Sequence, residues 1–420
     1  MNDTPSILRN FGWLSAAQLI ARLLQLVAYA SLARRLGEIG FGRFSYAFSL
    51  LDMVAFCATL GLPILYTRHI AAGRQALAHT AVLIKHRLTG VVALFGGFWL
   101  LLAPPNLALD LLLMMFLAML LRGYHHFGAS GLRGKEQMRG EAFATVAGRL
   151  VFTLGAGGGV WLSDDLGAML RITFVAFLLA EIVTLLMISR AMKPLGLDWS
   201  PPMPSAAQRQ QTWREMLPFA AAGLMGVIAF RVDLVMLREL SDPLHADMRA
   251  GAYGAAYRIL EAGLFVPAAV AAALFPALIK RGENGKLPPE LFRRALLIQL
   301  GLGLAGAAVL YFGAAFWVRL LAGPGFQEAV PALAALGFAA PFLFVNFVLG
   351  TGVFALGKEW LGFLGLTLSL LLNIFGNYWV MTRHPEQALV GAALFTAASE
   401  AVLTLSNVII LTLSRKRDQS

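Results

Sequence analysis

Apolar residues run through this chain in stretches of roughly 20, the length needed to cross a bilayer as a helix. Twelve such windows fall at about 11–33, 44–67, 80–103, 107–127, 142–163, 169–189, 215–237, 252–279, 292–315, 331–354, 360–381 and 389–413. The polar segments between them are short, and none is long enough to form a catalytic ectodomain. The longest, 190–214, carries Pro194, Pro201, Pro202 and Pro204 with three glutamines. It reads as a polar linker between two six-helix halves. The expected organisation is an N-terminal bundle over 1–190, a cytoplasmic linker over 191–214, a C-terminal bundle over 215–413 and a basic tail over 414–420.

Composition agrees. Of 420 residues, 58% are hydrophobic and 14% charged, against about 45–50% and 25% in soluble domains. The net charge of +11 raises the question of nucleic acid. The placement of Lys and Arg answers it. With the N-terminus inside, 21 of the 34 lie in inner segments, eight lie outside, and five (Arg22, Arg122, Arg149, Arg231 and Arg258) sit within spans. That bias puts both termini in the cytoplasm and makes the charge a topology signal, not a nucleic-acid footprint. The N-terminal apolar stretch follows a single cation, Arg9, and is too long for a signal-peptide core, so it reads as the first span. The single cysteine, Cys57, supports no disulfide framework or thiolate metal site.

The halves repeat. Adding 209 carries Arg22 to Arg231, Gly42 to Gly251, Ala47 to Ala256, Leu51 to Leu260 and Asp52 to Glu261. Gly134-Lys135-Glu136 recurs as Gly357-Lys358-Glu359, and Glu181 recurs as Glu400. Six spans per half keep one inside–outside sense. The architecture expected is therefore all-α, with twelve transmembrane helices in two parallel six-helix repeats and a site between the halves near the midplane.

Charged groups within spans cost about 2.5–3.5 kcal/mol each and persist when paired or facing water. Arg22 and Arg231 occupy matching places and could bind an anion, since guanidinium bonds phosphate bidentately. Arg258 joins this set, and Gln18 and Gln25 flank Arg22. Arg122, His125 and His126 share one helix face near the inner surface and could form a cationic entry for a phosphate headgroup. Asp52, Glu181, Asp233, Glu261 and Glu400 are either coupling acids, for a proton or sodium gradient, or structural partners of the arginines. Asp233 lies two residues from Arg231, on a different face. Pro63, Pro267 and Pro276 are expected to kink spans 2 and 8. The histidines lack a further ligand at metal spacing. Gly134-Lys135-Glu136 lacks the rest of a phosphate-binding loop, so no ATP-driven step, metal or other cofactor is expected.

The segments Asn10-Phe11-Gly12-Trp13-Leu14-Ser15, Leu32-Ala33-Arg34-Arg35-Leu36-Gly37, Phe41-Gly42-Arg43-Phe44-Ser45-Tyr46-Ala47 and Leu60-Gly61-Leu62-Pro63 are similar to the opening of bacterial polysaccharide flippases. These belong to the multidrug/oligosaccharidyl-lipid/polysaccharide exporter superfamily. Leu217-Pro218, Arg231-Val232-Asp233, Gly251-Ala252-Tyr253-Gly254-Ala255-Ala256-Tyr257 and the Gly-Lys-Glu turns carry the resemblance into the second half. It implies a V-shaped pair of bundles of the MATE type and an alternating-access, non-enzymatic flippase in the inner membrane. Such a protein moves undecaprenyl-diphosphate-linked oligosaccharide to the periplasmic leaflet for O-antigen or related lipopolysaccharide synthesis. By that analogy Arg22 and Arg231 hold the diphosphate, the protein is a monomer, and polysaccharide polymerase machinery is a partner. The alternatives are a multidrug or cation-coupled exporter of the same fold, and a glycan polymerase or ligase. The latter usually needs a large periplasmic loop.

Overall fold

The computed structural model describes the backbone of residues 4–102, 107–200, 202–281 and 287–417. Among the sequence expectations, Pro201, Lys286 and the side chains of Arg9, Asn10, Phe11, Pro276, Lys280, Arg281 and Arg415 to Arg417 lie outside the described residues. The described chain is helical, with no strand. Its helices are α1 (Thr4–Phe56), α2 (Leu62–Ala71), α3 (Gln75–Leu102), α4 (Leu109–Gly134), α5 (Met138–Phe152), α6 (Leu166–Met192) and α7 (Ala206–Glu239). They continue as α8 (Ala246–Gly263), α9 (Phe265–Arg281), α10 (Pro289–Leu321), α11 (Ala329–Gly337), α12 (Ala340–Ala355), α13 (Glu359–Arg383) and α14 (Ala388–Arg417). Many large apolar side chains point outward, among them Phe95, Phe98, Phe312 and Phe375. Exposed apolar surface on this scale suits a lipid solvent.

By length and apolarity, ten helices of the described residues can cross a membrane, and eleven if α11 and α12, bent by 45°, form one span. The twelve windows of the sequence are reached only by counting α1 twice. At 1.5 Å per residue a 53-residue helix is about 80 Å long, more than twice the hydrocarbon core. Gly37 interrupts it at φ 64°, ψ −177°, a conformation that a Cβ disfavours. Span 2 is broken again at residues 57–61, where Gly61 (φ 74°) caps the start of α2.

Two prolines act differently from expectation. Pro63 occupies the first turn of α2, and Pro267 the first turn of α9. There the missing N–H costs nothing, so they start helices after a break and do not kink continuous ones. Pro218 does lie inside α7.

The chain forms two compact units: residues 1–36 with 47–227, and residues 37–46 with 228–420. In the first unit Leu62, Leu65 and Tyr66 of α2 pack on Ala78, Ala81 and Val82 of α3, Phe127 of α4 and Met216 of α7. Tyr66 and Phe127 stack at 4.4 Å. The start of the linker is docked here as well. Trp199 donates through Nε1 to Ser189 Oγ at 3.1 Å, and its carbonyl accepts from His86 Nε2 at 2.7 Å. In the second unit Leu274 and Leu278 of α9, Phe292 of α10, Val348 and Val353 of α12 and Ile410 of α14 form the core. Segment 37–46 belongs to this unit. Arg43 Nε bonds Asp247 at 2.8 Å, and Tyr46 Oη bonds Glu239 at 2.5 Å.

The repeat is visible in the element boundaries. α4 ends at 134 and α5 starts at 138; α12 ends at 355 and α13 starts at 359, so both ends are 221 apart. On that register Glu136 matches Gly357. The Gly-Lys-Glu identity read from the sequence is thus slipped by two residues from the structural equivalence.

Candidate functional site

In the first unit charged residues of the spans gather at the middle of α4, the last turn of α5 and the middle of α6. Glu181 of α6 is buried, and its Oε2 lies 2.6 Å from Nδ1 of His125 on α4. The approach is close, yet neither atom has a hydrogen-bond partner among the described residues. Arg122 and Arg149 act on Glu181 electrostatically, and Arg149 in turn feels Arg122 and Arg22. Arg122 Nε donates to His126 Nε2 at 3.4 Å and its guanidinium lies 5.3 Å from the Phe48 ring centre. The His125 and His126 rings are 4.2 Å apart. His125 is buried and His126 exposed, as is Arg22. Among the described residues none of Arg22, Arg122 and Arg149 forms an ion pair with a carboxylate. Gln25 Nε2 donates to Tyr29 Oη at 2.9 Å, next to the same cluster. Gln18 and Asp52 are both half-buried.

The backbone beside this cluster is irregular. After Arg149, α5 gives way to a π-helical turn over Thr153–Gly158, a feature frequent at functional sites. Thr153 Oγ1 donates to the Leu24 carbonyl of α1 at 3.0 Å, and Ser31 Oγ donates to the Gly157 carbonyl. The turn thereby fixes α1 beside α5, one turn from Arg22 and Arg149.

The second unit treats its charges differently. Glu261 is gripped by two guanidiniums, Arg231 Nη1 at 2.8 Å and Arg258 Nη1 at 2.7 Å. This is the contact geometry that a structural role for Glu261 would need. Arg231 and its repeat mate Arg22 therefore have different environments, one neutralised within its unit and the other exposed. Asp233 is buried and bonded by neutral donors: Tyr253 Oη at 2.9 Å, Thr396 Oγ1 at 2.7 Å and Asn377 Nδ2 at 2.8 Å. Glu400 accepts from Asn346 Nδ2 at 2.7 Å. Beside Asp233 lies a polar cavity of about 10 Å³, lined by Tyr257, Ser369, Asn373, Thr396, Ser399 and Glu400. That volume holds one water-sized guest.

Reading by the sequence alone left out the intramembrane asparagines Asn346, Asn373 and Asn377, Lys85, and the site role of Arg149. Each is a polar residue in an apolar window, which was the available signal. Lys85 is fully buried and donates to the Ala58 carbonyl at 2.9 Å and Thr59 Oγ1 at 3.2 Å. It satisfies the backbone freed where span 2 breaks. Among the described residues no three His, Cys, Asp or Glu side chains converge to hold a metal.

Solved structures share this architecture. The lipid II flippase MurJ in an inward closed conformation matches with a TM-score of 0.72 at 14% identity, over 94% of this chain and 86% of that one. An inward-facing multidrug resistance MATE transporter of the MOP superfamily matches at 0.69 and 15%, over 94% of both chains. A Vibrio cholerae MATE transporter in its bent form matches at 0.61 and 15%, over 98% of both. At these identities the likeness is one of fold. No curated protein matches the sequence. The family model described as polysaccharide biosynthesis protein matches residues 7–281. With about two thirds of its length under that model and the fold of MATE and MurJ transporters, this multi-pass membrane chain belongs to the polysaccharide biosynthesis protein family.

Proposed function

We propose that the protein is a flippase for polyprenyl-diphosphate-linked oligosaccharide, moving it from the cytoplasmic to the periplasmic leaflet of the inner membrane with both its termini in the cytoplasm. The observation that carries this reading is the arginine cluster of the first unit, three guanidiniums with the one carboxylate of Glu181 in reach. Arg22, Arg122 and Arg149 lie within spans, in mutual electrostatic reach through Arg149, and none is committed to a carboxylate among the described residues. Guanidiniums within spans in excess over the acid in reach are costly and fit an anionic guest such as a diphosphate. The repeat sharpens the point. With the 221 register, the counterparts of Arg122, His126 and Arg149 are Leu343, Phe347 and Leu370. Of the three arginines only Arg22 has a basic counterpart, Arg231, and that one is held by Glu261.

The acids of the second unit support a division of labour in which Asp233, with the adjoining Glu400, receives a coupling proton or monovalent cation.

The test is genetic. Deleting the gene is expected to leave the lipid-linked unit made but confined to the cytoplasmic leaflet, with surface polysaccharide lost. Arg22→Ala, Arg122→Ala and Arg149→Ala, expressed at native level, should each restore export poorly. Full surface polysaccharide in the deletion strain, with no second flippase gene, would refute the reading.

A further inference from the structure

The same register that separates the arginines also separates two buried pairs. Glu181 on α6 meets His125 on α4, and Glu400 on α14 meets Asn346 on α12. His125 and Asn346 are 221 apart, and Glu181 and Glu400 are 219 apart. One repeat thus holds its acid with an imidazole and the other with an amide. An amide donates permanently, whereas an imidazole titrates between about pH 5 and 8. A second imidazole, His126, stands beside the first and has Phe347 as its counterpart.

We propose that the His125–His126 pair is a proton-binding site linked to the anion site of the first unit, so that binding a diphosphate draws a proton onto the pair. This rests on the reading of Arg22, Arg122 and Arg149 as anion ligands. The geometry gives the reason. His125 Nδ1 is buried 2.6 Å from Glu181 Oε2, and neither atom has a hydrogen-bond partner among the described residues. His126 Nε2 accepts from Arg122 Nε with its one lone pair, so it can take up a proton only when a guest draws the Arg122 guanidinium away. The charged groups facing the pair are Arg122 and Arg133 on α4, Arg149 on α5 and Glu181 on α6, with Arg22 and Tyr29 of α1 reaching Arg149. Without a guest, another cation among these arginines is opposed by like charge. A diphosphate diester brings two negative charges and removes that opposition. Linkage then runs both ways: the anion favours the proton, and the proton favours the anion.

The experiment uses the full chain in nanodiscs and farnesyl-diphosphate-linked N-acetylglucosamine as probe. Its phosphates are diesters that do not titrate near neutrality, so any proton exchanged belongs to the protein. Calorimetric titration in buffers of different ionisation enthalpy counts protons. Wild type is expected to take up close to one proton and to bind up to about tenfold more weakly per pH unit between about pH 6 and 8. His126→Phe and His125→Asn, which install the second repeat's own residues, should flatten that profile. His125→Asn keeps a donor on Glu181, as Asn346 does for Glu400, and size-exclusion chromatography checks folding. Binding by wild type without proton uptake would overturn the proposal and leave the flippase reading standing. An undiminished pH slope in both variants would overturn it too. If wild type does not bind the probe at any of these pH values, the anion reading itself fails and the proposal falls with it.

Discussion

At the scale of single residues, the structure separates charges that stabilise from charges held ready for a guest. Glu261 accepts from both Arg231 and Arg258 in a partly buried setting. Glu261→Gln removes the anion both guanidiniums grip, and breaking a buried pair typically costs about 3–5 kcal/mol. A clear drop in thermal midpoint in detergent is expected. Arg22→Ala touches no ion pair and should leave the midpoint unchanged while export falls. Equal midpoints for the two variants would contradict the assignment. His69 on α2 supplies a pH test. It is fully buried, its Nε2 lies 3.6 Å from Glu215 Oε2, and burial holds its proton affinity below the usual histidine value despite that carboxylate, with Arg74 and Arg68 adding to the effect. The folded state therefore binds fewer protons here than the unfolded chain. Its contribution is complete above the ordinary histidine pKa of about 6.5 and is lost as pH falls below it. The thermal midpoint should fall from pH 7.5 to 5.5, and less so in His69→Leu.

At the scale of elements, helix breaks matter as much as helices. Gly61 sits at φ 74°, and a Cβ there would meet Phe219 Cβ at 2.7 Å and Ala220 N at 2.9 Å. Left-handed backbone costs about 1–2 kcal/mol for other residues, and overpacking adds about 1–3. Gly61→Ala should lower both folded yield and thermal midpoint, measured by fluorescence-detected chromatography; a wild-type profile would refute this account of the break. The apolar windows made the helices legible because each window's length is dictated by the bilayer. The breaks were less legible. Pro63 and Pro267 read as kinks, since sequence does not show that residues 57–61 and Leu264 already interrupt the helix ahead of them. Trp199 lies in a segment whose prolines and glutamines read as solvated linker, and its contact to His86 spans 113 residues of chain.

At the scale of the whole molecule, the repeat was legible because charges within spans are too expensive to recur by accident, and Arg22, Arg231, Glu181 and Glu400 marked it. What identity at matched positions concealed was divergence in partners. Arg22 and Arg231 read as equivalent ligands, yet Glu261 holds Arg231 within its own unit and Arg22 stands exposed. Partner choice depends on α8, α4 and α12, whose register only the structure fixes. The central claim is that the arginines of the first unit select cargo by its diphosphate. The most direct measurement is transbilayer movement in proteoliposomes of a prenyl-diphosphate-linked saccharide against the same lipid with an uncharged linkage. A charge-assisted bond is worth about 1.5–3 kcal/mol, so the account predicts a preference of about tenfold or more for the diphosphate, largely lost in Arg149→Ala. Equal rates for the two lipids, or an unchanged preference in that variant, would contradict it.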